Sequence, residues 1–294
     1  MKQLYILLLT LFGLSHNIQA QDSTSSWMDQ LDNPTTYTIA TFKATRLINM
    51  HTVETLGKRT LDFRISHRFG TFNSGAENLW GLDGGASIRL GLEYSYDGRL
   101  MGGIGRTSTG KMFDGFLKYR LVRQTDDNHT PLSITLLTAM FITHESDPNK
   151  KANGYDKYEN FSSRMSYAYQ AIIARKFTPA FSMQIVPYFV HYNQVDEITD
   201  LNDMYGVQAG MRLKFTKRAA ITAEYAFRIN DYTRDEYYNS LGIGLELETG
   251  GHVFQVHITN SFGIVENQFL PYTDTKWSDG GIRLGFNISR VFTL

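Results

Sequence analysis

From Gly85 to Tyr96 the chain reads GASIRLGLEYSY, closed by Asp97-Gly98-Arg99. Ala86, Ile88, Leu90, Leu92, Tyr94 and Tyr96 fall on one face, and Ser87, Arg89, Gly91, Glu93 and Ser95 on the other. Strict two-residue alternation predicts a β-strand with one apolar and one polar face. The rhythm recurs from Arg59 onward. Leu61, Phe63, Ile65 and Phe69 oppose Asp62, Arg64, Ser66 and Arg68, and a Gly-rich strand runs from Leu100 to Arg106. Phe113, Leu117, Tyr119 and Leu121 oppose Asp114, Lys118 and Arg120. Similar runs centre on Leu136, Tyr169, Ile185, Ala209, Tyr225, Leu245, Val256 and Phe286. Pro187 lies inside one of them and cannot donate to a ladder, which predicts a bulge there.

The pattern predicts about twelve strands between Arg59 and Leu294, an even number suited to a transmembrane barrel. Short turns at Asp97-Gly98, Thr178-Pro179, Thr216-Lys217 and Gly250-Gly251, with a medium one at Thr125 to Thr130, share one end. Longer connections, such as Thr71 to Gly84, Glu145 to Asn160 and Gly263 to Ser278, share the other; Thr107 to Gly110 is the short exception. Short periplasmic turns, long outer loops and two periplasmic termini make up the outer-membrane arrangement. Tyr96, Phe177, Phe181 and Phe215 flank the short turns, as an interfacial aromatic girdle would.

The first residues follow a different rule. Lys2 precedes the apolar run LYILLLTLFGL, and Ile18-Gln19-Ala20 precedes Gln21, which predicts a signal peptide over 1–20. Residues 21–58 form a second unit before a barrel over 59–294. Within it Tyr37 to Glu54 alternates imperfectly, because Leu47 and Ile48 break parity. An extra strand is one reading. The preferred one is an extended segment that plugs or caps the barrel, with Lys43, Arg46 and Glu54 pairing with interior charges.

Composition adds constraints. Formal net charge is +0, which removes the case for nucleic acid as a partner. There are no cysteines, hence no disulfide framework and no lipid-modified cysteine. Mean hydropathy is slightly negative, but alternating strands average their two faces and hide a lipid-facing one. A mid-depth charge on the lipid side costs about 2–4 kcal/mol, so the charged set must face inward. That set is Asp62, Arg64, Arg68, Arg89, Glu93, Asp114, Lys118, Arg120, Arg164, Arg212, Lys214, Glu224, Arg228, Glu246, Glu248 and Arg283. It serves either as ion-paired filler bracing the wall or as the lining of a solute pathway favouring anions.

Catalytic and metal signatures are weak. His257 is followed two residues later by Thr259, and parity turns both inward, away from lipid. A hydrolase triad needs a nucleophile, a His and an orienting group in reach of one another, so no enzyme is expected. His51, His67, His129, His144, His191 and His252 are scattered, without HExxH. Asp147, Asn149, Asn153 and Asp156 lack the closing Glu of a calcium loop. No cofactor or metal is expected. The glycines at 91, 206, 210, 242, 244 and 285 follow strand spacing and make room for bulky lumen side chains rather than cradling a nucleotide.

ATFKATRLINMHTVETLGKRTLDFRISHRFG (Ala40 to Gly70), GLDGGASIRLGLEYSYDGRL (Gly81 to Leu100), IGRTSTGKMFDGFLKYRLVRQ (Ile104 to Gln124) and the closing strand resemble a bacterial outer-membrane β-barrel family, domain of unknown function 5777. The resemblance implies an outer-membrane barrel in contact with lipid and no established reaction. The expected function is a narrow channel or transporter for small polar or anionic solutes. The alternative is a plugged, non-conducting barrel that is a structural or interaction module for periplasmic envelope proteins. A phospholipase-like enzyme ranks third.

Overall fold

A computed structural model describes residues 36–147, 158–195, 200–230 and 236–294. The signal segment 1–20, the lead 21–35 and most of the loop carrying Asn149, Asn153 and Asp156 lie outside the described residues. Twelve strands are described: β1 (Thr60–Thr71), β2 (Ser87–Ser95), β3 (Leu100–Thr107), β4 (Met112–Val122), β5 (Ser133–Thr143), β6 (Met165–Lys176), β7 (Phe181–Tyr192), β8 (Asp203–Lys214), β9 (Ala219–Arg228), β10 (Leu241–Thr249), β11 (His252–Thr259) and β12 (Arg283–Thr293). Each pairs antiparallel with its sequence neighbours, and β1 pairs with β12, so the sheet closes on itself. Closure is required in lipid, where an unpaired backbone group costs several kcal/mol.

Burial alternates with the predicted parity. Arg89, Glu246 and Gln255 are 1%, 1% and 2% exposed, whereas their neighbours Leu90, Leu245 and Val256 are 49%, 52% and 50% exposed. The outer surface is therefore an apolar belt. Among the described residues its Arg and Asp side chains, Arg106, Arg175, Asp203 and Arg290, stand within a few positions of a strand end, where lipid gives way to water. Arg106 lies over the Phe113 ring, 4.6 Å from its centroid. His67 also faces outward, stacked on Phe286 with centroids 5.1 Å apart.

Pro187 makes no bulge. It pairs in unbroken register with Val207 of β8, and on its β6 side the register is the same before and after the gap between Gln170↔Tyr188 and Ile173↔Ile185. The ladder omits the bonds that Pro187 cannot make and continues, because its neighbours hold the spacing. Register shifts fall elsewhere, between Arg68 and Thr71 and between Arg120 and Val122.

The barrel's inner face has two unlike arcs. Around β8–β12, β1 and β2 it carries Arg212, Glu224, Glu246, Gln255, Asn287, Arg64 and Glu93. Around β5–β7 it carries Leu137, Ala139, Phe141, Ala168, Ile172, Val186 and Val190, all buried. A water-filled barrel has a polar lumen. The apolar arc is instead covered by protein.

Candidate functional site: a lumen closed from both ends

The first cover is the segment after Ala40. Leu47 N–H donates to Met50 O and Thr52 N–H to Thr45 O, each at 2.9 Å, and Arg46 bridges His51. The stretch is thus a tight hairpin with residues 47–50 at its tip. The break in parity at Leu47 and Ile48 is the turn itself. Phe42, Leu47, Ile48, Asn49, Met50, His51 and Thr52 are each at most 1% exposed.

The tip is clamped by one carboxylate. Backbone N–H groups of Ile48, Asn49 and Met50 donate to Glu224 of β9 at 3.0, 2.9 and 3.0 Å. Successive N–H groups in a turn form a concavity suited to an anion, and here a wall side chain fills it. Ile48 O accepts from Arg68 (3.2 Å) and Asn287 (2.9 Å), and Asn49 Oδ1 accepts from Arg68 (2.8 Å). Close approach needs wall positions without side chains. A Cβ on Gly210 would stand 2.5 Å from Leu47 Cδ1, and one on Gly242 2.8 Å from Ile48 Cδ1.

The hairpin arms are tied in turn. Thr45 donates to Glu93 at 2.8 Å and accepts from Arg64 at 2.8 Å. Gln255 donates to Arg46 O, Gln184 to His51 O and Thr135 to Val53 O. Lys118 donates to Glu54 O. Lys43 pairs with Glu248 at 3.1 Å, Arg46 with Glu93 at 3.6 Å and Glu54 with Arg120 at 2.8 Å.

A second cover comes from the long-loop end. After β11 the chain turns into the barrel, and Gly263 to Leu270 are all buried. Glu266–Phe269 form one helical turn, α1. Val265, Phe269 and Leu270 join Phe42, Leu47, Met50 and Phe141 in a single apolar core. Asn267 donates to Ser166 at 2.8 Å, Gln268 donates to Thr109 O at 2.9 Å, and the Tyr192 hydroxyl donates to Asn267 O. This loop belongs to the site, although its length alone placed it outside as a connection. The missed signal was its two apolar pairs, Ile264-Val265 and Phe269-Leu270, since large apolar residues clustered in a loop point to burial.

The two covers meet at Glu266. Its Oε1 lies 3.8 Å from Arg46 Nη1 and 3.2 Å from His51 Nε2. The His51 contact lacks hydrogen-bond alignment, and both of its ring nitrogens are without partners. Burial, then Arg46 and Lys118, holds the His51 imidazole well below its ordinary range, so it is neutral and the contact is not an ion pair. Burial pushes the Glu266 carboxyl up, and Arg46 opposes the shift. The His51 ring meets Phe116 edge-on, centroids 4.7 Å apart. Along this seam Arg46 Nε, Arg64 Nη1, Glu93 Oε1 and Glu266 Oε1 are buried without hydrogen-bond partners.

The inward-assigned charges fall into separate groups. Arg64 pairs with Asp62 at 3.0 Å and with Glu93 at 3.9 Å, and Glu93 in turn meets Arg46. Arg89 makes a two-pronged contact with Asp114 at 2.9 and 2.6 Å. Arg212 joins Glu246 and Glu248, each at 2.7 Å. Lys214 is half-buried at the short-turn end. Arg164, Arg228 and Arg283 stand at the long-loop end, bonded to Glu145 O, to Tyr237 O and to Asp274 respectively. His257 and Thr259 face inward; Thr259 Oγ1 donates to Leu241 O, and neither ring nitrogen of His257 has a partner.

A closed antiparallel barrel with an apolar belt, a charged inner arc and an even strand number is an outer-membrane β-barrel protein, embedded in lipid with its short turns toward the periplasm. Residues 42–292 match the family described as membrane bound beta barrel domain (DUF5777), and the chain belongs to that family. No curated protein matches the chain. Among solved structures, the chain is similar to the NanC porin (10% identity, 80% of this chain and 99% of that one, TM-score 0.47). It is also similar to the outer membrane phospholipase of Salmonella typhi (12% identity, 86% and 98%, TM-score 0.48). At that distance neither bears on solute or reaction.

Proposed function

We propose that the protein is a gated route for small polar solutes across the outer membrane, closed in this conformation, with the hairpin and the inward loop as the two halves of the gate. The observation that carries the reading is the Glu224 clamp: a wall side chain, not a strand ladder, holds the hairpin tip. The twelve-strand ladder closes without the hairpin, so displacing it leaves the wall paired. The imperfectly satisfied polar seam favours motion, because a partly satisfied buried network gains less from staying shut than a fully satisfied one.

The apolar arc favours a second reading, a permanently plugged barrel that serves as an interaction module for periplasmic envelope proteins. Baring Phe141 or Ile172 to water costs about 1.5–3 kcal/mol each. Planar-bilayer recordings separate the two. Both expect the native chain to stay closed. Under the gate, Glu224→Ala opens it to small ions; under the module, the variant stays closed. A native chain that conducts steadily rejects both. The proposal includes no enzymatic step, and a phospholipid-hydrolysis assay should yield no product.

A further inference from the structure

A cavity of about 190 Å³ lies at the outer mouth, beside the contacts that hold the inward loop. One wall is the inward loop, through Asn267, Gln268 and Tyr272; the other is the outer ends of β4 to β7 with the turn before β6, through Tyr158, Arg164 and Tyr192. Tyr192 and Tyr272 meet edge-to-face with centroids 5.5 Å apart. The Arg164 guanidinium lies 4.5 Å from the Tyr158 ring centroid and donates to Glu145 O at 2.8 Å. Asn267 is 2% exposed, and its Oδ1 has no hydrogen-bond partner.

These groups describe an occupant. Tyrosine offers a flat apolar face with a polar edge. The Asn267 NH2 is given to Ser166 and the Gln268 amide is held by Thr109 O and Ile264 N–H, so Asn267 Oδ1 is the acceptor left for an incoming hydroxyl. The Glu145 carboxylate lines the same space as Arg164, so the two charges offset and a strongly charged solute gains little. The volume falls below the roughly 300–1,000 Å³ of sites for drug-sized ligands, which limits the occupant to one ring.

We infer that this cavity is a binding site for a neutral, hydroxyl-rich ring of monosaccharide size entering from outside. The inference deepens the gated-route reading and rests on it in one respect: Asn267 follows Glu266, so an occupant presses on the residue next to the seam.

The test is titration of the full-length protein, in a detergent without a sugar head group, with D-glucose, D-galactose, D-mannose and N-acetyl-D-glucosamine. Saturation-transfer NMR and calorimetry are the readouts. At least one sugar is expected to bind with a Kd of about 1 mM or tighter, and Tyr272→Ala and Gln194→Ala to weaken it about tenfold each. Gln194 lines the cavity from a half-buried loop position, so its variant keeps the test valid should Tyr272→Ala fail to fold. Glucuronate is expected to bind about tenfold more weakly than the best neutral sugar. No binding by any of the four at about 20 mM, undiminished binding in the folded variants, or tighter binding of glucuronate would overturn the assignment. The titration needs no conductance, so its failure is distinct from that of the gate.

Discussion

The two arcs of the inner wall answer different demands. The charged arc binds the hairpin through directional contacts: Glu224 to three N–H groups, Arg68 and Asn287 to Ile48 O, and Glu93 to Thr45. The apolar arc adds two such bonds, Thr135 to Val53 O and Gln184 to His51 O, and otherwise offers area. Leu137, Phe141, Ile172 and Val186 pack into one core with Phe42, Leu47 and Met50. The hairpin meets both: its tip N–H groups and Ile48 O are held by the charged arc, whose Gly210 and Gly242 also make room for Leu47 and Ile48. Directional contacts set where the insert sits. Burial supplies most of the free energy that keeps it there, since net hydrogen bonds contribute about 1 kcal/mol each and buried side chains more.

Breaking the charged side at its clamp should have the largest effect. Glu224→Ala leaves three buried N–H groups without an acceptor, a cost on the order of 3 kcal/mol or more. The chain has no cysteine, so a single Thr52→Cys reports on the hairpin. Thr52 is 0% exposed, and the thiol should resist a water-soluble reagent in the otherwise native chain. With Glu224→Ala it should react about a hundredfold faster, and an unchanged rate would show that the clamp does not hold the hairpin.

Next comes a pair that sharpens the two-faced wall. Leu137 is 4% exposed and faces the core, whereas Leu136, one residue earlier, is 45% exposed and faces lipid. Leu137→Ala should cost about 2–3 kcal/mol in denaturant unfolding from vesicles, and Leu136→Ala less than about 1. Equal costs would contradict the assigned faces.

The smallest effect concerns pH. The folded pKa of His51 lies well below its ordinary 6.5, so the unfolded chain binds more protons and stability falls as pH drops below about 6.5. The expected loss is about 1 kcal/mol for the first pH unit below that point. The raised pKa of Glu266 acts in the opposite direction, favouring the folded state on acidification through the range above its ordinary 4.5. The difference between the native chain and His51→Gln therefore isolates the histidine. Thr52→Cys protection should fall with pH in the first and more shallowly in the second; parallel curves would remove His51 from the account.

The alternation of residues such as Leu90 against Arg89 and Glu93 is enough to specify strand number, parity and the inward turn of the charges. A lipid-facing charge is too expensive and an open sheet edge is forbidden. β5 also held a clue. Its inner face carries Leu137, Ala139 and Phe141 in succession, which in a lipid-embedded wall means that protein covers that part of it. What covers it was decided only by tertiary structure. The parity break at Leu47-Ile48 is a hairpin turn, Glu224 has its acceptor role because three N–H groups more than 170 residues away arrive at it, and Glu266 reaches the hairpin from the opposite end. Two-residue periodicity is local and survives in the sequence. Contacts across a lumen join residues remote along the chain, and no spacing records them.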